Sequence, residues 1–344
     1  MATEEYWEGA LMGGRWLAEH QNPDGSWIGL SAPREEAYYK SSWALMLTGH
    51  PAAAHRSLTY SRQALMDADG DFGPREYAWH RDVNHPYSNA YYVVGGMLAA
   101  RYEVVAPAVR FLLSQQDPRR GGFYSRRTAG GGSCLTDSMS TSGAAVAMLA
   151  AGQLEAACRA ADYLARLVEL QPAPGERFYF TLECDGRLGT EFQDDAEAWR
   201  RVIDRRAARQ CWYAAGLPFA FLVLLAEATG ETRYRSLAEW YFDFQAGCVD
   251  PWIGPSSGKA GWGSAMMYRI TGEKRYREVA FQVADMMQGK QLPAGNWTWA
   301  TGVLGQAGDP AAAPAPNDFD LTSEYTLWLA LIASNVAARD GGVA

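Results

Sequence analysis

The side chains best placed for proton transfer stand at the starts of predicted apolar helices. Glu324 precedes the apolar segment 325–332, and a capping box does not explain it because Leu321 stands three residues earlier. Asp137 precedes the small-residue helix 138–152, where it can also serve as the N-cap. A carboxyl, a lysine or a tyrosine at such a place is a candidate acid or base. The predicted catalytic residues are Glu324 first, then Asp137, with Tyr92, Lys259 and Glu36 assisting.

The protonation state of Glu324 decides its role. A helix N-terminus lowers a carboxyl pKa, whereas burial beside Tyr325 and Trp328 raises it. A low pKa makes Glu324 a base or an electrostatic partner, and a raised one makes it an acid. Asp320 stands where an N-cap belongs, and Lys40 and Lys259 can reach solvent. The neighbouring first turns supply the predicted substrate-binding residues: Tyr38, Tyr39, Asn89, Tyr91, Gln210, Trp212, Tyr213, Trp262, Asp320, Tyr325 and His85.

About twelve amphipathic or apolar segments must position these side chains. Apolar residues recur at three- and four-residue spacing in each of them, which indicates helices. Very short connections, such as Gly230-Glu231 and Gly272-Glu273, alternate with long ones, such as 117–137 and 171–209. Antiparallel helices therefore place all the short turns at one end and all the long loops at the other.

The two sets of helices differ in composition. Those that follow a long loop, such as 138–152 and 210–229, are apolar all round and are expected to be buried. Those that follow a short turn, such as 232–247, have a polar face. Six inner and six outer helices predict an all-α, (α/α)6 toroid formed by residues 1–344 as one domain. Two separate helical bundles would not produce the strict alternation. The six inner N-termini then meet at the mouth, where loops build the natural pocket.

A repeated phrase marks the ends of several outer helices. Residues 21–27 (QNPDGSW) and 291–297 (QLPAGNW) both fit Q-x-x-x-G-x-W, and degenerate relatives begin near 67, 116, 171 and 245. The sequence resembles, in this phrase, the terpenoid cyclase and protein prenyltransferase superfamily, in which the repeat closes the outer helices of an α/α toroid. The resemblance implies that Gln21 and Gln291 bond helix-end backbone and that Trp27 and Trp297 cover the joints.

The catalytic and metal-binding motifs of that superfamily are not clearly matched in this sequence. A class II terpene cyclase should have an Asp-x-Asp-Asp acid, but Asp67-Ala-Asp69-Gly-Asp71 lacks the adjacent pair and is interpreted as structural. Asp194-Asp195-Ala-Glu197 is similar to a class I metal motif, and its arginine-rich surroundings favour a solvated helix face. His80 and His85 are too loosely spaced for the zinc of a prenyltransferase. No metal or cofactor is predicted.

A second resemblance concerns the short turns. TGETRYRSLAEW (229–240) and TGEKRYREVA (271–280) look like the helix-turn-helix phrase of carbohydrate-active α/α barrels, such as unsaturated glucuronyl hydrolases and sugar 2-epimerases. The phrase is structural and carries no catalytic residue across. Two further features lie in long loops: a β-hairpin predicted near 178–192 around Asp185-Gly186, and a flexible Gly-, Pro- and Ala-rich stretch at 303–319.

Composition excludes several classes of protein. The chain of 344 residues is 48% hydrophobic, carries a formal charge of −8, and has no basic tract, which disfavours nucleic acid. No apolar run reaches the length of a membrane span, and no signal peptide is seen at the N-terminus. The expected location is the cytoplasm, with five reduced cysteines.

Three functions remain open. The first is a small-molecule cyclase or isomerase that folds a hydrophobic, terpenoid or polyketide-like substrate in an aromatic-lined mouth and moves a proton. The second is a carbohydrate-active enzyme: a uronyl hydrolase, a lyase or a sugar epimerase. The third is a noncatalytic binding toroid, whose pocket would lack a titratable pair. The oligomeric state is not readable from the sequence.

Overall fold

The computed structural model describes residues 2–76, 83–127, 134–304 and 314–341. His80 and most of the loop 303–319 lie outside these residues. Four short strands, β1 (Thr136–Asp137), β2 (Arg177–Tyr179), β3 (Thr181–Leu182) and β4 (Val202–Asp204), accompany the helices. The helices are α1 (Ala2–Glu19), α2 (Ser41–Leu47), α3 (Pro51–Ala64), α4 (His85–Leu98), α5 (Tyr102–Ser114), α6 (Ser138–Ala150), α7 (Leu154–Glu169), α8 (Asp195–Trp199), α9 (Tyr213–Thr229), α10 (Thr232–Ala246), α11 (Gly258–Thr271), α12 (Lys274–Gln288), α13 (Trp299–Gly302) and α14 (Pro316–Asp340).

Six of the helices form a closed inner ring. Each of α2, α4, α6, α9 and α11 packs against the next inner helix, and α14 packs against both α11 and α2. The predicted (α/α)6 toroid is therefore confirmed. The assignment of residues 1–344 to one domain stays a prediction, which ring closure supports because a closed ring cannot be halved without exposing its inner helices.

The outer helices α1, α3, α5, α7, α10 and α12 each pack mainly on one inner helix. The sequence explains the two layers. Helix α7 buries one face of alanines and leucines, among them Ala157, Ala160 and Leu164, and leaves its other face to solvent. Helix α9 is apolar on every side and is buried over most of its length. Gly230 and Gly272 end α9 and α11 with positive φ angles of 73° and 74°, which glycine adopts without strain.

The Q-x-x-x-G-x-W segments join neighbouring outer helices. The side-chain amide of Gln291 donates to the carbonyl of Gly9 in α1 at 2.8 Å and to the carbonyl of Gly295 in its own loop at 2.8 Å. Gln21 bonds Ala53 in α3 and Gly25 in the same way. Gly295 has a φ of 97°, and a Cβ there would lie 2.7 Å from the carbonyl oxygen of Met12. The close approach of loop to helix thus requires glycine.

Both tryptophans of the repeat cover these joints. Trp27 and Trp297 are fully buried, and each indole N–H donates at 2.7 Å to a backbone carbonyl, that of Ala37 and that of Met287 respectively. The structural role implied by the resemblance is what these contacts show. The degenerate copy at Gln116 makes the same pair of bonds, to Gly121 and to Ala156 in α7.

The predicted β-hairpin is smaller than the sequence indicates. A turn at Asp185-Gly186 is closed by a bridge between Leu182 and Leu188. The flanking strands pair with distant segments instead: β2 is antiparallel to β4, and β1 is antiparallel to β3. Neither pairing was predictable from local alternation, because β1 and β3 lie in different loops, and β2 and β4 lie near opposite ends of one long loop.

The cysteine expectation is wrong for one pair. Cys134 and Cys184 form a disulfide, with their Cα atoms 5.0 Å apart. The register of β1 and β3 explains it: Thr136 lies opposite Leu182, so two residues further out Cys134 lies opposite Cys184. Cys158, Cys211 and Cys248 are free thiols. Within the described residues, every helix is too short or too polar to cross a bilayer.

Candidate active site

A buried carboxylate held by two lysines lies at the mouth of the inner ring. The Nζ atom of Lys40 lies 2.6 Å from Oε2 of Glu324, and the Nζ atom of Lys259 bonds Oε1 of the same carboxylate. Lys40 also bonds Oδ1 of Asp320 at 2.7 Å. We call Lys40, Lys259, Asp320 and Glu324 the lysine–carboxylate cluster. The side chains of the two lysines are only 2–3% exposed.

Three inner helices bring the cluster together. Lys40 directly precedes α2, and Lys259 is the second residue of α11. Asp320 and Glu324 lie one turn apart on α14, so both carboxylates share a face of that helix. Helix α14 begins at Pro316, whereas an N-cap at Asp320 would have placed its start at 321. Asp320 is consequently an interior helical residue that bonds Lys40, and the N-cap role suggested for it is wrong.

Aromatic side chains surround the cluster. The Nζ atom of Lys40 lies 4.4 Å from the centre of the Tyr39 ring. The Nζ atom of Lys259 lies 5.5 Å from the Tyr87 ring and 5.4 Å from the Trp328 ring, within the range of a cation–π interaction. The indole N–H of Trp328 donates to Oε1 of Glu324 at 3.0 Å. The carboxylate is therefore bonded by two ammonium groups and one indole.

The electrostatics decide the protonation state of Glu324. Burial alone would raise its pKa, but the ammonium groups of Lys259 and Lys40 outweigh burial and hold the pKa well below its usual range. Glu324 is thus an anion at neutral pH, which favours the base or electrostatic partner over the acid. Burial likewise opposes the charge of Lys40, yet Asp320 and Glu324 raise its pKa above the ordinary value.

Lys259 behaves differently from Lys40. Burial lowers the pKa of Lys259, and the attraction of Glu324 does not fully offset it, while the nearby charge of Lys40 lowers it further. The two lysines of the cluster therefore differ. Lys40 is a firmly charged cation, and Lys259 is the group that gives up a proton more readily.

Below the cluster, aromatic side chains fill the axis of the toroid. Trp262 stacks on Trp328 at 5.5 Å between ring centres, and Trp43 meets both edge-on. The space left between them and Tyr91 encloses about 10 Å³, roughly the room that one water molecule needs. A drug-sized ligand needs about 300 Å³ or more. This space is far smaller than a folded terpenoid chain requires.

Asp137 forms a separate polar site. One of its carboxylate oxygens accepts from the Ser125 hydroxyl at 2.5 Å and the other from the backbone N–H of Ser140 at 2.7 Å. Asp137 is therefore the N-cap of α6, as the sequence allowed. Burial raises its pKa, and the bonds from Ser125 and Ser140 oppose this only in part. The Tyr213 hydroxyl nearby donates to the Cys211 sulfur at 3.0 Å.

Asp137→Asn is expected to alter the pH dependence of stability. Because the folded pKa of Asp137 lies above its unfolded value of about 3.9, wild-type stability falls relative to the variant as pH rises from about 4 through the folded pKa. The asparagine amide can keep both bonds, since its oxygen accepts from Ser140 and its NH2 group donates to the Ser125 hydroxyl. Urea unfolding of both proteins between pH 3 and 8 measures the difference. A variant that loses stability relative to the wild type as pH rises would contradict the raised pKa.

Glu36 and Tyr92 belong to another group, at the base of the 65–76 loop. The Tyr92 ring stacks on Phe72 at 3.7 Å, and Glu36 accepts from the backbone N–H of Glu76 at 2.5 Å. Asn89 bonds Asp71 at 2.8 Å. His85 begins α4 and accepts from the backbone N–H of Arg127 at 3.2 Å.

Four predicted substrate-binding residues make contacts away from the lysine–carboxylate cluster, two of them at the repeat joints. Tyr38 accepts from the backbone N–H of Trp27 at 2.9 Å, and Tyr325 packs edge-on against Trp297 at 5.7 Å. The Gln210 side chain accepts from the backbone N–H of Asp204 in β4, and the buried Trp212 precedes α9. An inner helix has one face toward the axis and one toward the outer joints, and the sequence does not say which residue takes which.

The two acidic motifs make local contacts, which agree with the structural interpretation of Asp67-Ala-Asp69-Gly-Asp71 and with an exposed helix at Asp194-Asp195-Ala-Glu197. Asp67 accepts from the backbone N–H groups of Asp69 and Asp71 and pairs with Arg127. Asp194 is the N-cap of α8, where it accepts from the backbone N–H of Glu197. Both motifs lie apart from the lysine–carboxylate cluster.

Lys40 is the residue that sequence reasoning undervalued. It was expected to reach solvent, but it bonds two carboxylates inside the ring. Its sequence signal is its place directly after Tyr38 and Tyr39 and before a helix of buried residues. Of the five predicted catalytic residues, Lys259 and Glu324 make direct contact.

Solved structures similar to this one share its toroid. D-mannose isomerase superposes with a TM-score of 0.69 over 95% of this chain and 97% of that chain, at 13% identity. A GH76 alpha-mannanase from Bacteroides thetaiotaomicron gives 0.65 over 96% of both chains, at 14% identity. A type II terpene cyclase from Scytonema, in complex with its product merosterolic acid A, gives 0.59 over 97% and 99%, at 12% identity.

These likenesses cover nearly the whole chain and support both of the resemblances found in the sequence. At 12–14% identity they show the fold alone. No protein-family model matches the chain. No curated protein matches its sequence.

Proposed function

We propose that this protein is a small-molecule isomerase or cyclase that works by proton transfer at the lysine–carboxylate cluster. The observation that carries the proposal is the placement of Lys40 and Lys259 on the two oxygens of one buried carboxylate, Glu324. Buried ionisable groups with displaced pKa values cluster at functional sites. A noncatalytic binding toroid would have no need of such a titratable set.

The residues divide the work. Glu324, held as an anion, accepts a proton or stabilises positive charge that develops beside it. Lys259, whose pKa burial lowers, exchanges a proton with the substrate. Lys40 stays charged and fixes the carboxylates. Tyr39, Tyr87 and Tyr91 are buried around the cluster and keep bulk water from it.

The substrate is expected to be compact. The apolar space among Trp43, Tyr91, Trp262 and Trp328 is only about 10 Å³, whereas the side chains of Asp320 and Glu324 are 12–13% exposed at the mouth. The substrate therefore approaches from the loop end and meets polar groups first. We therefore expect a small polar substrate in place of the hydrophobic one that the sequence suggested.

A sugar isomerase or epimerase is the second candidate, and the similarity to D-mannose isomerase favours it. A glycoside hydrolase is less well supported, because that chemistry needs a protonated carboxylic acid. Glu324 is held ionised, and Asp320 shares the same Lys40 ammonium. The carbohydrate alternative is thus narrowed to sugar isomerases and epimerases.

Proton transfer to a substrate carbon in D2O incorporates deuterium there, and this can be measured without knowing the product. We expect incubation in D2O with a panel of aldoses, ketoses and small hydroxy-carbonyl compounds to place deuterium on a carbon of one substrate class. Lys259→Met should lower the exchange rate about 100-fold or more. This variant leaves Glu324 paired with Lys40, so we expect it to fold. Proton NMR follows the exchange.

Lys274→Met is the matched control, because Lys274 lies exposed on α12 and should leave exchange unchanged. A second panel of terpenoid and polyketide-like alkenes tests the hydrophobic class. Exchange that survives in both Lys259→Met and Glu324→Gln would remove the cluster from the mechanism.

A further inference from the structure

Lysine is rare in this chain, and half of its lysines lie in the lysine–carboxylate cluster. Of 31 basic residues, four are lysines: Lys40, Lys259, Lys274 and Lys290. Two of the four meet on Glu324. Arginine pairs with a carboxylate through two parallel bonds and is the better residue for a buried ion pair. Ion pairing alone therefore does not explain lysine here. Lysine differs from arginine in that its amine can lose a proton and become a nucleophile.

The two lysines of the cluster are not equivalent. Lys40 bonds two carboxylates, those of Asp320 and Glu324. Within the described ranges Lys259 bonds the single carboxylate of Glu324, and the Tyr87 and Trp328 rings lie near its Nζ atom. An amine that is desolvated among aromatic rings and adjacent to a second cation is the setting that activates lysine as a nucleophile. Lys259 has that setting, whereas Lys40 is held as a cation by a second carboxylate, that of Asp320.

We propose that Lys259 forms a Schiff base with a small aldehyde or ketone, a step that rests on the proposed isomerase function and names its substrate class. The lone pair of Nζ attacks the carbonyl carbon, and the carbonyl oxygen takes up a proton. The resulting carbinolamine is protonated on its hydroxyl and loses water, which leaves a protonated C=N bond. One amine, one carbonyl compound and one proton thus give one iminium and one water.

The cluster already suits the iminium. The positive charge that was on the ammonium is carried by the same nitrogen, so Glu324 pairs with the iminium as it pairs with Lys259 now. The faces of Tyr87 and Trp328 stabilise a cation at that atom. No additional charge has to be buried. The iminium makes the adjacent C–H acidic, and the carboxylates of Glu324 and Asp320 are the nearby bases.

Size and access limit the carbonyl compound. The exposed edges of Asp320 and Glu324 admit it from the mouth, and the space beside Trp328 has room for only about one water molecule, so the carbonyl compound must be small. The class is therefore a short aldehyde or ketone with a hydrogen on the neighbouring carbon.

Reductive trapping tests the step without any turnover. The full chain is treated with propanal and sodium cyanoborohydride at pH 7, and the alkylated lysines are mapped by peptide mass spectrometry. We expect Lys259 to be alkylated faster than the exposed Lys274, since burial lowers the pKa of Lys259 and leaves a larger fraction of its amine unprotonated. Lys259→Arg should abolish that product and leave labelling of Lys274 unchanged. Lys274→Arg, the matched control, should leave labelling of Lys259 unchanged.

The result that overturns the Schiff base is faster labelling of Lys274 than of Lys259, or labelling of Lys40 in its place. Trapping after unfolding in urea, where all four lysines are accessible, verifies that each peptide is detected. The two proposals fail separately. Loss of deuterium exchange in Lys259→Met without trapping keeps the isomerase and removes the Schiff base. Trapping at Lys259 without exchange in any compound keeps the nucleophile and removes the isomerase.

Discussion

Glu324→Gln is expected to lower the free energy of unfolding by about 3–5 kcal/mol at pH 7, because it leaves the buried Lys259 without its carboxylate and Lys40 with only Asp320. The pH dependence has a definite sign. The folded pKa of Glu324 lies below its unfolded value of about 4.3, so its contribution is fully present above about pH 5. It declines as pH falls through the unfolded pKa toward the folded one. Urea unfolding of both proteins at several pH values measures it.

Glu227→Gln provides the matched control, because Glu227 pairs with Arg269 near the surface, where both side chains are about one-third exposed. Its loss should cost less than about 1 kcal/mol. The double variant Lys259→Met with Glu324→Gln should be less destabilised than the two single changes together, since the partner left unpaired is gone as well. Equal costs for Glu324→Gln and Glu227→Gln would mean that the cluster is not the buried ion network described.

Trp297→Ala is expected to destabilise the fold by about 3–5 kcal/mol. The side chain is fully buried and its indole N–H bonds the Met287 carbonyl, so the change opens a cavity and leaves that carbonyl unpaired. Trp27→Ala should behave alike, because Trp27 occupies the equivalent joint. Thermal and urea unfolding monitored by circular dichroism measure both.

Trp199→Ala serves as the comparison, because Trp199 is 38% exposed and its removal should cost about 1 kcal/mol or less. Retained stability in Trp297→Ala, with loss of activity alone, would assign the tryptophan to catalysis and reverse its structural role.

The architecture could be predicted from the sequence because local residue patterns determine the helices and turns of the toroid. The alternation of short turns with long loops and the two kinds of helix each follow from residues near one another in the chain. The Gln21 and Gln291 segments added the joints, whose bonds to Ala53 and Gly9 the structure shows. The starting residue of α14 was misplaced, and Pro316 at its first turn was the missed signal.

The site was harder to predict because it depends on which way each side chain faces. Tyr38 and Tyr39 are adjacent, yet Tyr38 serves the Trp27 joint and Tyr39 lies beside Lys40. The two residues lie in the turn before α2, where adjacent side chains point in different directions, and helix boundaries uncertain by a few residues cannot resolve which is which. The β1–β3 pairing and its disulfide were out of reach for a different reason, since they join loops about fifty residues apart.

The closure of the ring by α14 has a further consequence for how the chain is cut. Helix α1 packs on α14 as α3 packs on α2 and α10 on α9, so the first and last helices form a sixth inner–outer pair that lacks a connecting short turn. The toroid is thus cyclic in its helix order, and its ends occupy the place of one turn. A circular permutant that links α14 to α1 through a short linker and opens instead at Gly230-Glu231 keeps every inner contact. The chain ends can then lie at any of the short turns without a change in the fold.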